Sequence, residues 1–221
     1  MKYNAKSRYV TISAFEKKWN VHFTVNHLGK MEGMISLSTS PLCNPLCRKR
    51  AKIANTICSH CYSFCMMKRF GTLADRLAKN TEVLTTKLIP VEEWPILNAR
   101  YVRFEAFGDI VNARQMENYV NLCKRNPSTK FAIWTKNYAI AAKALEKTGK
   151  PKNLTLLVSS PLVNVALDLT KFPLADKCFT VYSTCHAAQE GIDINCGARA
   201  CLLCHKCYER TGAKHIRERL K

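Results

Sequence analysis

The chain has 221 residues, with 35 Lys+Arg against 16 Asp+Glu for a formal charge of +19, and it carries 12 cysteines. Its length suits one domain, residues 1–221, with a core of its own; 47% hydrophobic and 23% charged residues exclude wholesale disorder. No apolar run reaches about 18 residues, so no membrane is expected as a partner, and the start MKYNAKSRYVTISAFEKKW lacks a signal peptide's apolar segment, which predicts a cytoplasmic chain.

Taken in chain order, residues 1–30 read as an N-terminal hairpin, YVTISAF followed by VHFTVNH. MISLSTS (34–40) is a strand that runs into the first cysteine loop. A helix follows near 73–88, with Leu73, Leu77, Leu84 and Leu88 as its apolar face. RYVRFEAF (100–107) is the next strand. In the helix 112–124, Met116, Tyr119, Val120 and Cys123 recur at helical spacing, so Cys123 is a packed thiol. KFAIWT (130–135), a helix at 138–147, NLTLLVS (153–159) and FTVYS (179–183) continue the alternation; the tail after Cys207 is a basic helix or a frayed end. Near-continuous apolar strands alternating with amphipathic helices are parallel β/α units. The expected fold is α/β, a partial (β/α) barrel of about five to six parallel strands. It would carry the hairpin at 1–30, the β/α core at 31–184 and a cysteine-rich, metal-bound extension at 185–221.

Polar residues follow most strands: Ser38–Ser40, Gly108-Asp109, Thr135-Lys136-Asn137, Ser159-Ser160 and Ser183-Thr184. In β/α folds the carboxyl ends of strands carry the site. Both cysteine groups are expected at that same end. Arg103 and Glu105, two apart in one strand, are expected to share a face.

The cysteines fall into two groups, Cys43, Cys47, Cys58, Cys61 and Cys65, then Cys185, Cys196, Cys201, Cys204 and Cys207. In a reducing compartment such spacing means metal more often than disulfides. Cys201-x2-Cys204-x2-Cys207 lets three thiolates converge on one cluster, as in bacterial-type ferredoxins; zinc sites come more often as two pairs, and zinc is the alternative at one site. The expected ligands are Cys47, Cys58 and Cys61, with Cys43 a further candidate, for a first [4Fe–4S] cluster. For a second they are Cys185, Cys201, Cys204 and Cys207, with Cys196 the alternative corner. Cys178 has no close partner in the sequence.

A cluster bound in the loop after the first strand of a β/α barrel is similar to the arrangement in radical S-adenosylmethionine (SAM) enzymes. Their usual Cys-x3-Cys-x2-Cys spacing is replaced here by Cys47-x10-Cys58-x2-Cys61. By that resemblance, Gly108 and Asp109 stand where a turn meets the SAM amino group. A carboxylate accepting from an ammonium is sound chemistry; the alternative is that Asp109 caps the next helix. Lys136 would meet a carboxylate or phosphate, and Ser159 would offer its hydroxyl to a ribose or form a turn. Arg48, Lys49, Arg50 and Lys52 form the densest basic run, inside the first cysteine loop, and predict salt-dependent binding of nucleic acid.

SLSTSPLCNPLC, Cys58-Ser-His-Cys61-Tyr62, the segment from Arg103-Phe104 to Gly108-Asp109, and Cys185…Cys204-His-Lys-Cys207-Tyr208 together resemble an uncharacterised bacteriophage family, the gene product 88 type. The resemblance covers roughly positions 34 to 208. It implies cysteine-bound clusters on a β/α scaffold, distantly radical SAM-like, in an infected bacterial cell. The expected function is an iron–sulfur protein that acts on or binds nucleic acid, with SAM as second ligand if it is an enzyme. The rival is a non-catalytic protein whose loops are stapled by iron–sulfur or zinc and which binds nucleic acid or an acidic host protein.

Overall fold

The computed structural model describes residues 10–197 and 199–220. In chain order the elements are α1 (Ile12–Trp19), β1 (Thr24–Val25), β2 (Ile35–Leu37), α2 (Pro45–Arg50), α3 (Tyr62–Arg69), α4 (Gly71–Thr86), β3 (Tyr101–Phe104), α5 (Ala113–Arg125), β4 (Lys130–Thr135), α6 (Tyr138–Thr148), β5 (Leu154–Ser159), β6 (Lys177–Tyr182), α7 (Thr184–Gln189), α8 (Cys201–Cys204) and β7 (His215–Arg219). The sheet is seven-stranded and its spatial order follows the sequence, β1 to β7. β1 runs antiparallel to β2, and every later neighbour is parallel. The sheet is open, with β1 and β7 as its edges.

Side-chain alternation divides the sheet into two faces. Leu37, Val102, Phe104, Phe131, Ile133, Leu154 and Leu156 point to a core shared with Val83 and Leu84 of α4, Met116, Tyr119, Val120 and Cys123 of α5, and Ala141, Ala144 and Leu145 of α6. Phe104 stacks on Tyr119 at 4.2 Å and on Phe131 at 5.2 Å between ring centroids; such pairs contribute about 0.5–1.5 kcal/mol beyond area burial. Cys123 is fully buried here, and burial raises its thiol pKa well above the usual range, as befits a packing residue. The opposite face carries Met34, Tyr101, Ala132, Leu157 and Ile216, covered by Tyr208 with Cys196, Cys201 and Cys207 against it.

Three expectations need correction. The described part of the first hairpin strand is the helix α1: Thr11 caps it by accepting from Ala14 N at 3.2 Å, and Asn20 closes it in the left-handed region. Val10 and Ile12 suggest alternation, but Ile12, Phe15 and Trp19 also sit at helical spacing and pack on the core. Thr24–Val25 pairs with β2 instead, and residues 1–9 lie outside the described residues. The basic tail supplies β7, which gives the edge of β6 a partner for its backbone groups. Of the helix face read at 73–88, Leu77 and Leu84 are buried, while Leu88 is exposed beyond the end of α4.

Among the described residues, no helix is long and apolar enough to cross a membrane.

Candidate functional site

The carboxyl ends of β2, β3 and β4 are joined by buried polar side chains. Ser38 Oγ accepts from the backbone N–H of Ala106 at 3.0 Å and of Phe107 at 3.3 Å. Glu105 has a left-handed backbone, φ 53°. That turn breaks the strand alternation and corrects the expected pairing with Arg103: Glu105 points to the helix side and Arg103 to the opposite face. The Glu105 carboxylate accepts from Thr39 Oγ1 at 2.9 Å, from Gln115 Nε2 at 2.7 Å and from the Tyr119 hydroxyl. Burial outweighs these donors and pushes its pKa up to about 8.

Gly108 sits at φ 74°, and a Cβ there would lie 2.6 Å from the Thr39 carbonyl oxygen. Only glycine fits that combination of turn and close approach. The glycine leads into Asp109, which is buried. Asp109 Oδ1 accepts from Thr135 Oγ1 at 2.5 Å and from Ile110 N at 2.8 Å, and Oδ2 accepts from Lys136 N at 2.9 Å. It caps no helix; Asn112 caps α5 by accepting from Gln115 N at 3.0 Å. Asp109 therefore ties β3 to β4, with its carboxylate taken up by protein donors.

The first cysteine loop lies across these strand ends. Asn44 donates to the Asp109 carbonyl at 2.8 Å and caps α2 by accepting from Leu46 N at 2.9 Å. Arg50 donates to the Lys136 carbonyl at 3.2 Å. Ile57 N donates to the Pro161 carbonyl at 3.0 Å, beyond the end of β5. Tyr62 O–H donates to the Ala106 carbonyl.

Within this loop Cys47, Cys58 and Cys61 are half-buried. Burial raises the Cys47 thiol pKa, and Asp109, Glu105, Cys61 and Cys58 push it the same way. Burial also raises Cys58, with Lys136 and Arg50 opposing and Cys61 adding to the rise. Lys136 and Arg50 thus both bear on Cys58, and Nη1 of Arg50 is buried with no hydrogen-bond partner among the described residues. Cys43 is exposed and lines a cleft of about 550 Å³ along α4 with Asp75, Lys79 and Glu82. Cys65 is exposed on α3.

The second group corrects the expectation that all the thiols share the strand ends. Cys196, Cys201 and Cys207 pack on the sheet face over Met34, Tyr101, Ala132 and Leu157. Lys177, fully buried at the start of β6, anchors the following segment by donating to the carbonyls of Thr211 at 3.0 Å and Ala213 at 2.8 Å. Burial pushes Cys207 up to about 12; Cys196, Cys201 and Cys204 add to the rise, and Arg103 opposes it. Cys196 and Cys204 likewise bear on Cys201. Lys30 Nζ lies 3.0 Å from Cys196 Sγ and 2.7 Å from Glu218 Oε1. Cys196, Cys201 and Cys207 therefore share one sheet face, and Cys204 lies between the last two along the chain. Cys185, offered by the spacing as a corner, is exposed in the first turn of α7.

Among the described residues, no group of three or more His, Cys, Asp and Glu side chains is gathered so as to hold a single metal ion. Lys136 is half-buried beside Cys58, and Ser159 is buried at the end of β5 on the face carrying Thr155 and Leu157. Arg48, Lys49 and Lys52 are exposed, while Arg50 is half-buried. Sequence reasoning missed Lys30 as a thiol partner, because 166 positions separate it from Cys196. It also left Cys178 unassigned; its Sγ lies 2.7 Å from His215 Nδ1 on the neighbouring strand.

A family model described as Gene product 88 matches residues 14–168, well over half of the chain. That span includes the first cysteine group and ends before the second. No curated protein matches the chain, and no solved structure matches it.

Proposed function

The chain belongs to the gene product 88 family, and on that footing we propose that it is an iron–sulfur protein with two centres, one held by three thiols and one by four. The observation that carries this reading is the partition of the cysteines. Cys47, Cys58 and Cys61 are half-buried in the loop over the strand ends, while Cys43 and Cys65 are exposed. Cys196, Cys201 and Cys207 pack on the opposite sheet face, with Cys204 between the last two along the chain. The run Cys201-x2-Cys204-x2-Cys207 favours an iron–sulfur cluster over zinc, whose sites come more often as two pairs.

Three protein ligands would leave one iron open, and a cluster so held supplies one-electron chemistry toward SAM. The chain's own residues would then act around it. Arg50 and Lys136 offset the negative charge of the thiolates. Asp109 and Arg50 fix the backbone of Lys136, so that its ammonium would be available to a carboxylate or phosphate. Ser159 offers a hydroxyl on the same face. Sequential strand order, with α4, α5 and α6 packed on one face of the sheet, supports a partial (β/α) barrel, the scaffold of radical SAM enzymes. Exposed Arg48, Lys49 and Lys52, in a chain that also exposes the rings of Tyr62 and Phe70, support a nucleic-acid substrate or partner.

One observation favours the non-catalytic reading. Asp109 is buried and its oxygens accept three hydrogen bonds from protein, so it is not open to the SAM ammonium. Anaerobic purification with iron and sulfide analysis tests the metal: a brown protein absorbing near about 400 nm is expected, and a colourless zinc protein would overturn the reading. Incubation with dithionite and SAM tests catalysis. Release of 5′-deoxyadenosine supports the enzyme, and none from a protein with intact clusters leaves the binding protein.

A further inference from the structure

The side chains of β7 alternate between two faces. Ile216 joins the cluster under Tyr208, and Glu218, two residues on, pairs with Lys30. His215, Arg217 and Arg219 therefore form a row on the other face, in register with Cys178, Thr180 and Tyr182 of β6. His215 and Arg219 are exposed, and Arg217 is half-buried. Among the described residues no carboxylate lies at ion-pair distance from these three. The Arg217 guanidinium donates to the Asp193 carbonyl at 3.0 Å, which leaves its charge uncompensated. Cys178 Sγ lies 2.7 Å from His215 Nδ1. Burial raises the pKa of that thiol, so it keeps its proton and donates to Nδ1, which leaves Nε2–H of the exposed ring as a donor.

The outer side of this edge strand is already paired at its centre. Asn195 N and Cys196 N donate to the Arg217 carbonyl at 3.2 and 3.0 Å, Arg217 N donates to Asn195 Oδ1 at 2.9 Å, and Asn195 Nδ2 donates to the His215 carbonyl at 2.9 Å. A further strand, from a peptide or a second copy of the chain, finds no free ladder there. Recognition falls to the side chains of the row, which are basic. Alternate residues of a strand stand about 6.6–6.8 Å apart. A stacked nucleic-acid strand carries one phosphate per about 3.4 Å of axis, so a strand drawn out to about twice that rise sets successive phosphates against successive members of the row. Tyr182, the register partner of Arg219, stacks on the half-buried ring of His186 with centroids 6.2 Å apart and planes 3° from parallel. The Arg219 end of the row thus has an imidazole beside it on which an unpaired base can stack.

Resting on the nucleic-acid reading, we propose that His215, Arg217 and Arg219 are a phosphate-binding row for single-stranded nucleic acid, separate from the basic run of the first cysteine loop, with His186 as its stacking platform. The two arginines supply the charge, and His215 donates a hydrogen bond. A base that stacks on His186 must be unpaired, so the row selects single strands over duplexes.

The test uses the full chain and a fluorescein-labelled single-stranded oligonucleotide, with binding followed by anisotropy across a salt series. Arg217→Gln with Arg219→Gln removes two phosphate contacts. It is expected to weaken binding about tenfold at low salt and to flatten the slope of log K against log salt by about 1.4 units, about 0.7 for each contact. Arg217→Lys with Arg219→Lys keeps the charge and should keep the slope. His186→Ala should weaken binding about fivefold with the slope unchanged, because stacking releases no counterions. If the double Gln variant does not fold, Arg219→Gln alone carries the test, with half the change in slope. Unchanged affinity and slope in the Gln variant overturn the row; if Arg48→Gln, Lys49→Gln and Lys52→Gln together still weaken binding, the nucleic-acid reading stands without it. A parent protein that binds no oligonucleotide at low salt removes both. A duplex of the same sequence bound as tightly as the single strand overturns the single-strand assignment, and unchanged affinity in His186→Ala overturns the platform.

Discussion

Asp109 Oδ2 accepts the backbone N–H of Lys136 at 2.9 Å, so the two residues that the strand ends offer as reactive groups are fastened to each other. With Thr135 and Ile110 donating to the other oxygen, this carboxylate holds β3 and β4 in place beneath the first cysteine loop. Asp109→Asn puts an amide donor against groups that are themselves donors. It is expected to lower stability by about 2–3 kcal/mol, the cost of a buried unsatisfied group, measured as a shift in urea midpoint at unchanged slope. A variant as stable as the parent would show that the strand ends do not depend on this carboxylate.

Gly108→Ala tests the turn that delivers Asp109. The left-handed φ and the nearby Thr39 carbonyl both resist a Cβ. A loss of more than about 1 kcal/mol is expected by the same denaturation measurement.

Glu105 gives a pH dependence with a definite sign. Its folded-state pKa, about 8, lies above the ordinary carboxylate value of 4.5. Between those values the folded chain keeps a proton that the unfolded chain releases. Stability from this group is therefore present at low pH and declines as pH rises from about 4.5 to 8, by an amount on the order of a few kcal/mol. Glu105→Gln cannot titrate. Its unfolding free energy, followed across that window, should decline less steeply than that of the parent; equal slopes would assign the dependence to other groups.

The partition of the thiols predicts unequal consequences for iron content. Cys47→Ala, Cys58→Ala or Cys61→Ala should each lower anaerobically bound iron by about one four-iron cluster's worth. Cys43→Ala, Cys65→Ala and Cys185→Ala should leave it unchanged. Iron and sulfide analysis of the single variants decides it, and equal losses from Cys43→Ala and Cys47→Ala would overturn the three-thiol assignment.

Exposed charge in the first loop predicts a salt effect. Replacing Arg48, Lys49 and Lys52 together by Gln should weaken binding to a single-stranded oligonucleotide. Its dependence on salt should flatten by about one unit of slope for each phosphate that the variant no longer neutralises. An unchanged slope would place the nucleic-acid interface elsewhere or remove it.

Much of the β/α order was legible because strands buried on both sides are apolar and short. KFAIWT is β4 to the residue, and Cys123 is the packed thiol its helical spacing implies. The ends of the chain were less legible. Ile12, Phe15 and Trp19 satisfy a helix while Val10 and Ile12 satisfy a strand, and the single apolar Ile216 gives β7 almost no pattern. Of the site, the cysteine groups were visible from spacing. Their placement was not: Cys196, Cys201 and Cys207 pack on the sheet face while Cys185 is exposed.

By itself the sequence determined the alternation of strands and helices, the two clusters of cysteine and the excess of positive charge, because composition and local periodicity are properties of neighbours along the chain. Only the tertiary structure decided that Glu105 turns away from Arg103, that Asp109 is consumed in joining strands, and that Lys30 reaches Cys196 of the second cysteine group. Those outcomes depend on one backbone dihedral and on approaches between residues tens to hundreds of positions apart. They arise when the sheet brings distant segments onto one face, where burial makes the pairing of charge and the saturation of hydrogen bonds costly to leave undone.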